Sequence, residues 1–275
     1  MTLTALSLLA ALGAAVGLLG SVFGLGGGIF IVPVLVLYFK LPIHSAIAAS
    51  LVTIIATSSA VASVNVERGL ANMRLGLSLE VSTAAGAVAG AFTAGALSPK
   101  ILQFCFSLLL FFAAAAMFRK GIAKPAPESS GEPPPGGDYE YTDPATGRVC
   151  RYAVKNLPAA SAVSVFAGAV SGLLGVGGGI IKVPLMHLVC GIPIKAAAAT
   201  SNFMLGVTAA TSAVVYFRKG LVPLELTAVL VLGVLAGSAA GMRILAKTSS
   251  NRLQLVFSLI AFLMAAKILS AAWDL

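Results

Sequence analysis

The chain contains two runs of three glycines, Gly26-Gly27-Gly28 and Gly177-Gly178-Gly179, each inside a long apolar stretch and each followed by a proline, Pro33 and Pro184. Consecutive glycines have no side chain to bury and favour no single backbone region, so each run stops one helix and lets another begin. A helix that begins inside a bilayer aims unpaired N–H groups, and the positive end of its dipole, at the cavity around the break. That is the chemistry of an anion site. The competing reading is that the glycines only let helices pack closely.

Hydroxyl and amide side chains follow both runs at matching distances. Ser50, Thr53 and Thr57 share one helical face, and Thr200, Ser201 and Asn202 cluster at the corresponding level of the second copy, ahead of Thr208. Such groups suit an oxyanion, although each could instead bond a neighbouring carbonyl. Lys182 puts a charge inside the short apolar segment after the second run, where the first copy has Ile31. A charge in a membrane interior is costly and marks a functional site by default; the alternative is a lysine that snorkels to the surface. Glu80 and Lys267 lie nearer segment ends and read as interfacial. His44 has no His, Cys or carboxylate near it in sequence, so it reads as a residue at a helix start, like its match Lys195, and no metal site is expected. Cys105, Cys150 and Cys190 show no CxxC spacing, which argues against both zinc and a disulfide framework. Cys190 closes the short segment after the second break and is a weaker candidate to line the site.

The elements that position these groups are membrane helices. With 59% hydrophobic and only 10% charged residues and a mean hydropathy of +1.01, the chain lies far from soluble composition. The net charge of +9 reads as basic residues that orient membrane helices, not as a nucleic-acid surface. The first apolar stretch has no basic residue ahead of it, so a membrane segment is expected there and not a signal peptide. A fixed offset of 151 residues relates Gly26 to Gly177, Pro42 to Pro193, Ser50 to Ser201, Thr57 to Thr208, Gly69 to Gly220 and Gly86 to Gly237. So long a register predicts a duplicated bundle.

Each copy reads as five segments: a long helix, a short one of about half the bilayer thickness, and three more. The domains expected are residues 1–118, a polar linker 119–156, and residues 157–275. The linker starts with a Pro/Gly/Ser-rich run from Lys124 to Gly137, and the β-prone residues from Tyr139 to Tyr152 predict a small hairpin about Asp143-Pro144-Ala145-Thr146-Gly147. The linker reads as a tether between the halves or as a regulatory element. Inverted halves with the linker inside put Arg68, Arg74, Arg119, Lys120, Lys124, Arg148, Arg151, Lys155, Lys195, Arg243, Lys247 and Arg252 in the cytoplasm. That leaves Lys40, Lys100, Arg218 and Lys219 outside, twelve against four, whereas parallel halves give ten against six. The positive-inside rule therefore favours an inverted, all-α membrane bundle with broken helices at the midplane and both termini outside.

No Walker or Rossmann fingerprint follows either glycine run, so neither an enzyme nor a cofactor is expected. At the glycine runs, at Pro33 and Pro184, and at Ala49-Ser50 and Thr200-Ser201, the sequence resembles the TauE/SafE family of sulfite-exporter-like permeases. The resemblance covers both halves but not the linker, and it implies export of sulfite, an organosulfonate such as sulfoacetate, or a related small anion across a bacterial inner membrane. The family's first copy often has a hydroxyl where this chain has Ala49; Thr200 keeps it in the second. The substrate site expected is Gly26, Gly27, Gly28, Ser50, Thr53, Gly177, Gly178, Gly179, Lys182, Thr200, Ser201 and Asn202. Two other readings stay open: a proton-coupled importer, and a scaffold that transports nothing. The expected partners are a small anion and the lipid bilayer, without nucleic acid; homo-oligomerisation stays open.

Overall fold

A computed structural model describes residues 3–23, 26–122, 139–142, 149–244 and 250–273. Five helices precede a small hairpin and five follow it. The first half comprises α1 (Leu3–Phe23), α2 (Gly28–Leu37), α3 (Ile43–Glu67), α4 (Met73–Ala94) and α5 (Pro99–Ile122). The strands β1 (Tyr139–Thr142) and β2 (Val149–Tyr152) pair antiparallel, Tyr139 opposite Tyr152. Then come α6 (Leu157–Leu174), α7 (Gly179–Leu188), α8 (Ile194–Arg218), α9 (Leu224–Ile244) and α10 (Ser250–Trp273). The protein is an all-α membrane protein: among the described residues seven helices are long and apolar enough to cross a bilayer, and α2 and α7, ten residues each, are not. Gly24 and Leu25, the run Lys124 to Gly137 and the turn Asp143 to Gly147 lie outside the described residues.

The offset seen in the sequence reappears in the backbone. Gly27 and Gly178 cap α2 and α7 in the left-handed region, at φ 80° and 76°, where a Cβ would be strained. Pro42 and Pro193 precede α3 and α8 at φ −54° and −53°, and Gly69 and Gly220 end the turns after them at φ 66° and 67°.

The halves do not fold side by side. The most extensive packing is α1 on α9, α4 on α6, α5 on α10 and α3 on α8, each a pair across the halves. Glycines spaced four apart let the first two of these close to backbone contact. A methyl at Gly86 or Gly90 would run into the carbonyls of Val165 or Ala169, and one at Gly168 or Gly172 into those of Thr83 or Ala87. Gly233 and Gly237 meet the carbonyls of Ala10 and Ala14 in the same way. Without a hydrophobic drive between helices in lipid, such small-residue seams supply the van der Waals contact that holds them. Rising numbers on one helix meet rising numbers on the other, so α1 runs parallel to α9 and α4 parallel to α6. On α3 and α8 the order reverses: Ile54 and Leu205 meet at Gly26 and Gly177, while Ser58, four residues on, donates to the carbonyl of Asn202, three residues back. These two central helices cross antiparallel. Large apolar side chains such as Phe92, Phe112, Phe166, Leu232 and Phe262 stay exposed on the outside, as a lipid-facing surface requires.

Candidate transport site

The two glycine breaks converge on the centre of the bundle. A methyl at Gly26 would lie 3.1 Å from Ile54 and 3.5 Å from Leu205; at Gly177 it would lie 2.8 Å from Leu205 and 3.4 Å from Ile54. One at Gly28 would meet the Ser50 hydroxyl at 2.7 Å and, closer still, the carbonyl of Gly175. Gly27 and Gly178 point elsewhere, Gly27 onto Val16 of α1 and Gly178 onto Ala167 and Ser171 of α6. Both readings of the glycines therefore hold at different positions. The middle glycine of each run packs against the preceding helix, while Gly26, Gly28 and Gly177 face the centre. Gly179 is the buried first residue of α7. The first N–H groups of α2 and α7 have no acceptor within their own helix, and the glycines ahead of both, Gly26 and Gly177, lie beside the same two side chains, Ile54 and Leu205.

The polar side chains divide into spent and unspent donors. Ser50 donates to the Gly175 carbonyl at 2.7 Å and Thr53 to the Ser50 carbonyl at 2.7 Å. Thr200 accepts from the backbone N–H of Asn72 at 2.9 Å and so faces the first turn of α4, not the glycine breaks. Asn202 is buried, and its carbonyl accepts from Ser58. Ser201 is fully buried and its hydroxyl has no partner.

Lys182 does not snorkel. Its side chain is 1% exposed; Nζ donates to the Thr208 hydroxyl at 2.6 Å and lies 3.5 Å from Glu80 Oε2. The Thr208 hydroxyl has one proton and two acceptors in reach, Glu80 Oε1 at 2.6 Å and the Met204 carbonyl at 3.0 Å. Glu80 is correspondingly not interfacial. Because α4 starts at Met73, the carboxylate sits two turns inside the helix, 4% exposed, on the face turned to α8. Its position within an apolar segment was the available signal, but no local pattern points to a partner in the other half. His44 does stand in the first turn of α3, bonded to the Ala94 carbonyl at 3.0 Å, and Lys267 is exposed.

Above the ion pair the hairpin covers the ends of α4, α7 and α8. Asn72 caps α4 by accepting from Leu75 N at 3.0 Å, and its amide donates to the Tyr152 hydroxyl at 3.0 Å. Tyr141 and Tyr152 are buried in one cluster with Leu75, Leu79, Met186, Cys190 and Met204. Lys155 N donates to the Cys190 carbonyl at 3.1 Å, so Cys190 packs beneath the linker and not at the glycine breaks. A cleft of about 260 Å³ remains between the hairpin and the turn from Gly69 to Arg74. Burial pushes the Tyr152 phenol above its ordinary range.

A polytopic bundle in which two half-length helices start at its centre, each behind a left-handed glycine, has the build of a secondary transporter. Residues 9–268 match the family described as "Sulfite exporter TauE/SafE", and the chain belongs to that family. It is also similar to the "Probable membrane transporter protein YunE" of Bacillus subtilis (strain 168), 25% identical over 280 residues that cover 95% of this chain and 96% of the relative. No solved structure matches. The chain is thus a membrane transporter, not an enzyme, and the scaffold reading is set aside.

Proposed function

We propose that this transporter exports a small sulfur oxyanion, sulfite or an organosulfonate such as sulfoacetate, from the cytoplasm across the inner membrane. The anion is held between the two glycine breaks of an inverted-repeat bundle. The observation that supports the reading best is the approach of Gly26, Gly28 and Gly177 to a common centre, which sets two helix N-termini around one small volume. Backbone N–H groups and helix dipoles at such helix starts attract an anion. Ser201 adds a buried hydroxyl with a free valence. Ile54 and Leu205, which now fill the gap, would part to admit the substrate. The antiparallel crossing of α3 and α8 and the parallel pairs α1/α9 and α4/α6 are what an inverted duplication produces. Direction follows from energetics: a membrane potential negative inside favours outward movement of an anion by about 2.3 kcal/mol per charge per 100 mV.

The test is counterflow in proteoliposomes preloaded with sulfite, sulfoacetate, taurine or sulfate under an imposed potential. The expected result is potential-dependent flux of a sulfur oxyanion that Gly28→Ala abolishes, because its methyl would occupy the space beside Ser50 and the Gly175 carbonyl. No flux of any of the four anions would overturn the reading.

A further inference from the structure

We propose that the Glu80 carboxylate is the resident counter-anion of Lys182, and that the transported anion displaces it while Glu80 takes up one proton, so that each anion crosses with a proton. This deepens the anion-transport reading above and rests on it.

Three observations carry it. The pair is buried from both sides, at 1% and 5% side-chain exposure, yet it is incompletely made. Lys182 gives its hydrogen bond to Thr208, and Glu80 Oε2, 3.5 Å from Nζ, has no hydrogen-bond partner. A brace built for stability would satisfy that oxygen, since a buried unpaired polar atom costs free energy. Second, the fold does not need the charges. The repeat mates of Glu80, Lys182 and Thr208 are Val231, Ile31 and Thr57. Thr57 bonds the carbonyl four residues back, as Thr208 does, with no charge beside it. Third, Lys182 stands one helical turn beyond the Gly178 cap of α7, so the helix start that belongs to the central break and the residue that carries the ammonium are on the same turn.

Among the described residues no other charge competes at this place. Of the elements packed on α4, α6 has no ionisable side chain, and on α8 Lys195, Tyr216 and Arg218 lie near the ends. His187 of α7 is bonded to the Ile192 carbonyl at 2.8 Å, and on the hairpin Tyr152 accepts from Asn72. Once an anion takes the Lys182 ammonium, an ionised Glu80 would be a second negative charge in the same dry space. Like charges in such a space drive protonation. The carboxylate gains a proton from the water on the side to which the site is open, and the anion takes over the contact with the ammonium. Return of the carboxylate to Lys182 releases both on the other side. With a doubly charged anion one net negative charge still moves, so the membrane potential still drives export.

The test is calorimetric titration of the purified full-length protein with sulfoacetate in buffers of different protonation enthalpy, alongside the counterflow above. The wild type is expected to take up one proton per sulfoacetate bound, its affinity weakening as pH rises, by about tenfold per pH unit where a whole proton is taken up. E80Q is expected to bind with no proton uptake and a flat pH profile. The double variant E80V/K182I, which gives each position the residue of its repeat mate, Val231 or Ile31, is expected to stay monodisperse, to melt within a few degrees of the wild type, and to bind no sulfoacetate. Binding by the wild type without proton uptake, or an E80Q profile that keeps its slope, overturns the coupling and leaves the central anion site standing. Collapse of the double variant makes the pair a structural brace and also overturns it. Failure of both wild-type binding and counterflow removes the transport reading and this inference with it.

Discussion

At the residue scale, the two symmetry-related serines make opposite demands on a mutagenesis experiment. Ser50 is engaged with the Gly175 carbonyl, so Ser50→Ala leaves a buried acceptor unpaired and is expected to cost about 1–3 kcal/mol. Ser201 has no partner to lose. Ser201→Ala is therefore expected to leave the melting temperature in detergent unchanged or slightly raised while it lowers counterflow at least about tenfold, equivalent to about 1.4 kcal/mol of lost interaction with the anion. A fall in melting temperature as large as that of Ser50→Ala would show that Ser201 is bonded in the native protein and is not a free donor. The glycine runs and the serine pair were legible in the sequence because the same residue types recur at one offset and their chemistry is local. Glu80 was misplaced because its meaning depends on Lys182, which reaches it from a helix of the other half. Thr200 and Asn202 were adjacent to Ser201 in sequence, but a helix turns successive residues by about 100°, and Thr200 faces the first turn of α4 instead.

At the element scale, the seams between helices and the docked hairpin each yield a prediction. Gly86 and Gly69 look alike in sequence but sit in opposite surroundings. A methyl at Gly86 meets the backbone of Val165, which no side-chain rotation relieves, whereas one at Gly69 meets nothing and is opposed only by a φ of 66°. Gly86→Ala is expected to destabilise the α4/α6 pair by about 1–3 kcal/mol, as overpacking does, and Gly69→Ala by about 1 kcal/mol. Thermal unfolding of both variants by circular dichroism checks the order, and a larger loss at Gly69 would contradict the seam. The hairpin is held by Tyr152 on Asn72, and burial raises the phenol above its unfolded value near 10. A group with a raised native pKa contributes its full stability below the unfolded pKa and loses it as pH climbs through the native one. Limited proteolysis of the linker should thus be insensitive to pH up to about 10 and accelerate above it, and Tyr152→Phe should remove that step. The order of a long helix, a short one and three more in each half was legible from hydropathy and glycine breaks, and the β-prone stretch did form a hairpin. Which helices pair was not, because every membrane helix presents apolar surface all round and the seams depend on glycines whose opposite partners lie in the other half of the chain.

At the scale of the whole molecule, the contacts sort the loops into two ends. Asn72, Tyr152 and Thr200 meet at one end, where Lys155 also binds Cys190. At the other, Lys219 lies over Phe92, and His44 bonds the Ala94 carbonyl. The first end gathers Arg68, Arg74, Arg151, Lys155 and Lys195, and the second Lys40, Lys100, Arg218 and Lys219. Basic residues are retained on the cytoplasmic side, so the positive-inside rule predicts that the richer end, with the hairpin, faces the cytoplasm. Exposed positions on the two ends test this without disturbing the core: Glu140, whose side chain is 64% exposed, and Arg218 at the end of α8. In a background with Cys105, Cys150 and Cys190 replaced by serine, Glu140→Cys should react with a membrane-impermeant maleimide only in inside-out vesicles. Arg218→Cys should react only in intact spheroplasts. Inverted halves require those two results to be opposite. Parallel halves would carry Arg218 to the linker side and make them the same, and then α3 and α8 could not cross antiparallel as Ile54, Ser58, Asn202 and Leu205 have them do.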